Sequence, residues 1–216
     1  MARNPKTPQF DVFNHRNNCF GRWQVHDMTL DEWLDDSPIM LEVGAGEAAV
    51  ALAYARLYPD HQVVALDQKA DRLSKAARAA DEEGLQNIAF IHSDIRNLET
   101  VVDLTGRVAV IWVTFPDPYP RDRQEKHRLA YGRMLSIYAG MLTHDGVLKF
   151  KTDNSPLYDY ALESIGNDQR YSITWQTRDL HVSDCTDPVA LTKTRYEEMF
   201  ISEGIPTKML VADIKK

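Results

Sequence analysis

The 216-residue chain predicts an α/β protein built on a mostly parallel sheet. Three features predict it. From residue 39 onward, apolar segments of strand length alternate with patterns of helical period. One segment, VAVIWVTF at 108–115, is apolar almost throughout, as expected of a strand covered on both faces. Acidic residues recur at or just beyond strand ends, the place where open α/β sheets hold ligands.

Residues 1–37 are polar and irregular and carry Pro5 and Pro8; they read as a flexible arm and a lead-in, with a helical turn at Leu30–Leu34. Residues 38–216 read as a single domain, since no repeat or low-complexity linker interrupts them. IMLEV (39–43) is the first strand and GAGE turns after it. AAVALAYARLYP (48–59) is a helix stopped at Pro59, and HQVVALD (61–67) is the second strand. Leu73, Ala76, Ala77 and Ala80 mark one face of a helix over 70–83, closed by Gly84. NIAFIHSD (87–94) and VAVIWVTF are the third and fourth strands, and residues 124–142 can form a long helix. GVLKFKT (146–152) is the fifth strand, and SPLYDYALESIG (155–166) is a helix with a Ser-Pro start. YSITWQT (171–177) and KMLVADI (208–214) are late strands separated by a long irregular segment.

Composition narrows the function. Apolar residues make up 44% and charged residues 26%, which suits a soluble globular domain with a real core. No apolar run approaches the roughly 20 residues that span a bilayer, and no signal peptide is read at the N-terminus. Cys19 and Cys185 do not make a disulfide framework, so a cytoplasmic location is expected. The seven histidines are scattered and form no metal-ligand motif. A net charge of -7 argues against indiscriminate coating of nucleic acid, so any basic footprint must be concentrated.

In LEVGAGEAAV (41–50), Glu42 ends a strand and Gly44 and Gly46 open the next helix, where glycines permit a tight turn and close approach to a ligand. Asp67 ends the second strand and can accept ribose hydroxyls. Asp94 follows the third and can accept from an adenine amino group. The pocket suits NAD or S-adenosylmethionine. The missing third glycine and the extra carboxylate favour the methyl donor over a pyrophosphate.

FPDPYPRDRQEKHR (115–128) follows the fourth strand. Pro116 and Pro118 hold Asp117 in a stiff turn. Tyr119 offers a flat ring, and Arg121, Arg123, Lys126, Arg128 and Arg133 suit a phosphate backbone. LKFKTDN (148–154) places Lys149 and Lys151 on one strand face with Asp153 beyond them. TKTRYEE (192–198) supplies Thr194, Arg195 and Glu197, and both segments are expected to line the same mouth. Thr194 and Glu197 also have capping-box spacing.

LEVGAG, FPDPYPRDRQEKHRL, LKFKTDN and TKTRYEEMF, in this order, resemble the bacterial-type tRNA (guanine-N7)-methyltransferases over roughly residues 39–214. The resemblance implies a Rossmann-like class I methyltransferase fold, with a mostly parallel seven-stranded sheet and an antiparallel last strand. It implies S-adenosylmethionine as cofactor, held by Glu42, Gly44, Gly46, Asp67, Asp94 and Asp117, with Asp117 also catalytic. Arg121, Arg123, Asp153, Thr194, Arg195 and Glu197 would face tRNA, whose variable loop carries the target guanine. The implied partner is tRNA, with no DNA, membrane or metal, and the protein would be a monomer or homodimer. Tyr119 replaces the family's usual Trp, Gln124 its usual His, and Ala48 a frequent glycine. A non-catalytic or weakly active RNA-binding relative, or a methyltransferase acting on a different substrate, are the alternatives.

Overall fold

The computed structural model describes residues 16–21, 26–97 and 103–215. In chain order its helices and strands are β1 (Cys19–Gly21), α1 (Leu30–Trp33), β2 (Ile39–Val43), α2 (Ala49–Leu57), β3 (Gln62–Asp67), α3 (Ala70–Glu82), β4 (Ile88–His92), β5 (Val108–Thr114), α4 (Gly132–Met141), β6 (Leu142–Thr152), α5 (Ser155–Asn167), β7 (Tyr171–Thr177), α6 (Arg195–Ser202) and β8 (Lys208–Ile214), with a 3₁₀ segment at Asp122–His127 between β5 and α4.

The strands form one sheet of order β1-β4-β3-β2-β5-β6-β8-β7. β8 lies antiparallel between β6 and β7, and the other neighbouring strands run parallel. The antiparallel last strand agrees with the sequence reading. The strand number does not: β1 adds an eighth strand to the seven expected. It pairs with β4 because Gly21 brings the backbones together; a Cβ there would lie 2.3 Å from the His92 carbonyl oxygen. Asn18 reinforces the edge by donating to Ile88 O at 3.0 Å.

Helices cover both faces. Ile39, Leu41 and Val43 face one core with Leu135, Tyr138, Leu157 and Ala161 from α4 and α5. Met40 alternates to the other, with Ala51, Tyr54, Leu73 and Ala77 from α2 and α3. Leu180, Val189 and Ala190 extend that second core, so the chain between β7 and β8 is packed on the sheet rather than loose.

The long helix expected over 124–142 is divided. Residues 122–127 are a 3₁₀ segment and α4 begins only at Gly132. Arg128 has an extended backbone (φ -66, ψ 138) and its guanidinium turns back to Tyr119 O. That contact takes the chain out of the helical path. The long irregular segment, conversely, contains α6, started by the Thr194–Glu197 capping box.

Candidate functional site

Strand order reverses direction from β2: β3 and β4 lie to one side, β5 and β6 to the other. A crevice at that switch point is the expected ligand site of such a sheet. A cavity of about 180 Å³ occupies it, walled by Gly44 after β2, Asp67 and Lys69 at β3, Asp94 and Arg96 after β4, and Phe115, Asp117, Tyr119 and His127 after β5.

The glycine turn is held by backbone hydrogen bonds. Gly44 (φ 75) and Gly46 (φ 57) are left-handed, and the amides of Gly44 and Ala45 both donate to Leu66 O. Asp67 fixes the turn from the neighbouring strand: Oδ2 accepts from the Gly46 amide at 2.8 Å, and Oδ1 from the Lys69 amide at 2.7 Å. Ala48 is left-handed as well (φ 53), the conformation that a glycine takes without a Cβ penalty.

Glu42 departs from a cleft-facing acid. Its side chain is buried, with Oε1 accepting from Thr114 Oγ1 at 2.5 Å and Oε2 from the Ala51 amide at 2.9 Å. Burial pushes its carboxyl up to about 7. The acids that line the cleft are therefore Asp67, Asp94 and Asp117. Asp94 is bridged by Arg96 through 2.9 and 2.5 Å contacts, and those hydrogen bonds hold its carboxyl below the usual carboxylate range.

Asp117 is exposed at the rim, in a loop with two non-glycine residues at positive φ, Phe115 (44°) and Tyr119 (42°). Such conformations persist where surrounding contacts over-determine them. Here the contact is Arg128: Nε and Nη2 both donate to Tyr119 O, at 3.2 and 3.1 Å, while the guanidinium lies 4.4 Å from the Tyr160 ring centroid on α5. Arg121 and Arg123 are exposed at the adjoining 3₁₀ segment, outside the cleft lining.

The residues of the later segments lie elsewhere than the sequence suggested. Lys149 and Lys151 share a face of β6, but neither opens on the mouth. Lys149 pairs with Asp187 at 2.6 Å, and Lys151 is fully buried against Glu197 at 2.8 Å. Glu197 is itself fully buried, also contacted by His181 Nε2 at 2.8 Å. Its carboxylate is thus turned to internal partners, not presented to a solvent-side ligand. Thr194 caps α6, while Arg195 is exposed beside it. Asp153 is half-buried after β6, and its carbonyl accepts from Lys208 Nζ at 2.8 Å.

A carboxylate-walled crevice at the switch point, on a sheet with an antiparallel strand inserted next to its last parallel edge, defines a class I methyltransferase. The comparisons agree. Residues 36–210 match the family described as "Putative methyltransferase". A tRNA (guanine-N(7)-)-methyltransferase of Cytophaga hutchinsonii is 35% identical over 192 residues, 88% of this chain and 83% of that protein. One from Clostridium perfringens is 32% identical over 183 residues, 82% of each. Among solved structures, the 16S rRNA methyltransferase KamB aligns with a TM-score of 0.66 at 16% identity, covering 87% of this chain and 93% of that one. A point mutant of the 16S rRNA (adenine(1408)-N(1))-methyltransferase of Catenulisporales acidiphilia, solved with S-adenosylmethionine, gives 0.58 at 17%, covering 88% and 93%. Those two support the fold alone. The chain belongs to the tRNA (guanine-N7)-methyltransferase family.

The methyl donor of this class is S-adenosylmethionine, and the cleft's chemistry fits it. Three carboxylates around one cavity offer acceptors for ribose hydroxyls and an adenine amino group. Sequence reasoning missed the cleft's own cations, Lys69, Arg72 and Arg96, and the wall residue Phe115. For Lys69, Arg96 and Phe115 the signal was position shortly past a strand end, while Arg72 lies in the first turn of α3.

Proposed function

We propose that this protein transfers a methyl group from S-adenosylmethionine to N7 of a guanine in the variable loop of tRNA, in the cytoplasm. The observation that carries this reading is the placement of Asp117 in a stiff, exposed turn that walls the donor cleft and leads directly into the exposed cations Arg121 and Arg123.

Bound in the cleft, the donor supplies an electrophilic methyl carbon on a sulfonium. Guanine N7 carries an in-plane lone pair and no proton, so no side chain has to act as a base. What the chain must provide is alignment, a matter of positioning. Asp117 or Asp153 can accept from guanine N1–H and N2–H, a donor pair that adenine lacks. Arg121, Arg123 and Arg195 would hold phosphates, and Tyr119 offers a ring on which a displaced base can stack.

The test is incubation with labelled donor and bulk undermodified tRNA, followed by nucleoside analysis. Label is expected in 7-methylguanosine recovered from variable-loop fragments. Label confined to another nucleoside, or absent from RNA altogether, would refute the reading.

A further inference from the structure

Lys151 sits where the donor cleft meets the segment that leads into α6. An ammonium has three donors, and here all three are engaged: Glu197 Oε2 at 2.8 Å, Ala190 O at 2.7 Å and Thr192 O at 3.1 Å. The same nitrogen lies 5.8 Å from the ring centroid of Phe115, a wall of the cleft, and the Phe115 amide donates to Lys151 O at 2.8 Å. Phe115 in turn faces Phe200 of α6, with centroids 6.4 Å apart. One buried cation therefore touches the cleft wall on one side and both the start and the approach of α6 on the other.

Packing alone does not call for a charge here, since a buried ion pair is often matched or bettered by apolar residues of similar volume. The segment also has independent anchors: Lys149 pairs with Asp187, and Leu180, Val189 and Ala190 are in the core. Lys151 adds a specific register between Phe115 and residues 190–197. We infer that Lys151 is a positioning residue that couples the donor cleft to α6, so that a ligand against Phe115 orders the segment carrying Thr194 and Arg195. That this segment meets tRNA rests on the proposed function; the coupling itself does not.

Hydrogen exchange with S-adenosylhomocysteine as the probe tests it without turnover. In the parent protein, the probe is expected to slow exchange across residues 190–202 by about fivefold or more, the lower end of ordinary coupling between sites. Lys151→Met should bind the probe equally well by calorimetry and lose that protection. If Lys151→Met does not fold, the charge-free pair Lys151→Met/Glu197→Gln serves instead, with the same expected loss. Absence of protection in the parent, or its persistence in the variant, overturns the inference. With tRNA, Lys151→Met should raise KM by about tenfold, a typical coupling magnitude, without changing probe affinity. Should the parent methylate no tRNA yet show the exchange coupling, the substrate reading falls and the coupling stands.

Discussion

Two acids near the carboxyl end of the sheet are fully enclosed, and the protein treats them in opposite ways. On the donor side, Glu42 receives a hydroxyl and an amide hydrogen bond, with no ammonium or guanidinium in contact among the described residues, and burial pushes its carboxyl up to about 7. On the α6 side, Glu197 receives Lys151, His181 and the Thr194 amide of its capping box. Lys151 bears the matching cost: burial lowers its pKa, and the nearby Glu197 opposes that shift. A lone enclosed carboxylate is relieved by taking up a proton, whereas an enclosed ion pair depends on both of its members being present. The donor side is thus sensitive to pH and the α6 side to the loss of a partner.

The largest separation between the two regions should come from Asp117, which lines the switch-point cleft, the proposed donor site, and borders the cations. Asp117→Ala is expected to lower methyl incorporation into tRNA by about 100-fold or more through lost positioning, with an unchanged circular dichroism spectrum. Near-parental turnover would sink its assigned role. Glu42→Gln comes next. The folded pKa lies above the ordinary glutamate value of 4.5, so the folded state binds the extra proton and the parent loses stability as pH rises from 4.5 through about 7. Relative to Glu42→Gln, that loss amounts to about 3 kcal/mol at most, read from urea midpoints across that range; a parallel pH dependence in both proteins would remove the contrast with Glu197. Arg121→Glu should raise KM for tRNA by about tenfold through lost phosphate attraction, and weaken further with salt, while donor affinity stays put; equal effects on both ligands would show that Arg121 is not on the RNA side. The smallest effect is Ala48→Gly, expected to stabilise the protein by about 1 kcal/mol by relieving a left-handed alanine. A lower melting temperature for that variant would mean its Cβ packing outweighs the strain.

The central strands were legible because burial on both faces makes a sequence apolar without interruption, as in VAVIWVT, and the cleft acids were legible because ligand sites follow strand ends. What escaped notice was decided by tertiary partners. β1 is only three residues long, and its pairing depends on Gly21 meeting the His92 backbone far along the chain. The broken helix around Arg128 depends on a carbonyl nine positions away. Lys149 and Lys151 were placed correctly on one face of a strand, but lysines are rarely enclosed, so the sequence suggests water where the structure has Asp187 and Glu197. Glu42 misled for the same reason.

The insertion of β8 between β6 and β7 has a consequence for biosynthesis. Among the described residues β7 pairs with the rest of the sheet only through residues 208–214, so it lacks that neighbouring strand until the ribosome has delivered them. Until then β6 and β7 present open edges, the kind that invite pairing between nascent chains. A message cut short before that final strand would yield a polypeptide carrying every acid of the donor cleft yet marked, by two unsealed borders, for aggregation or degradation.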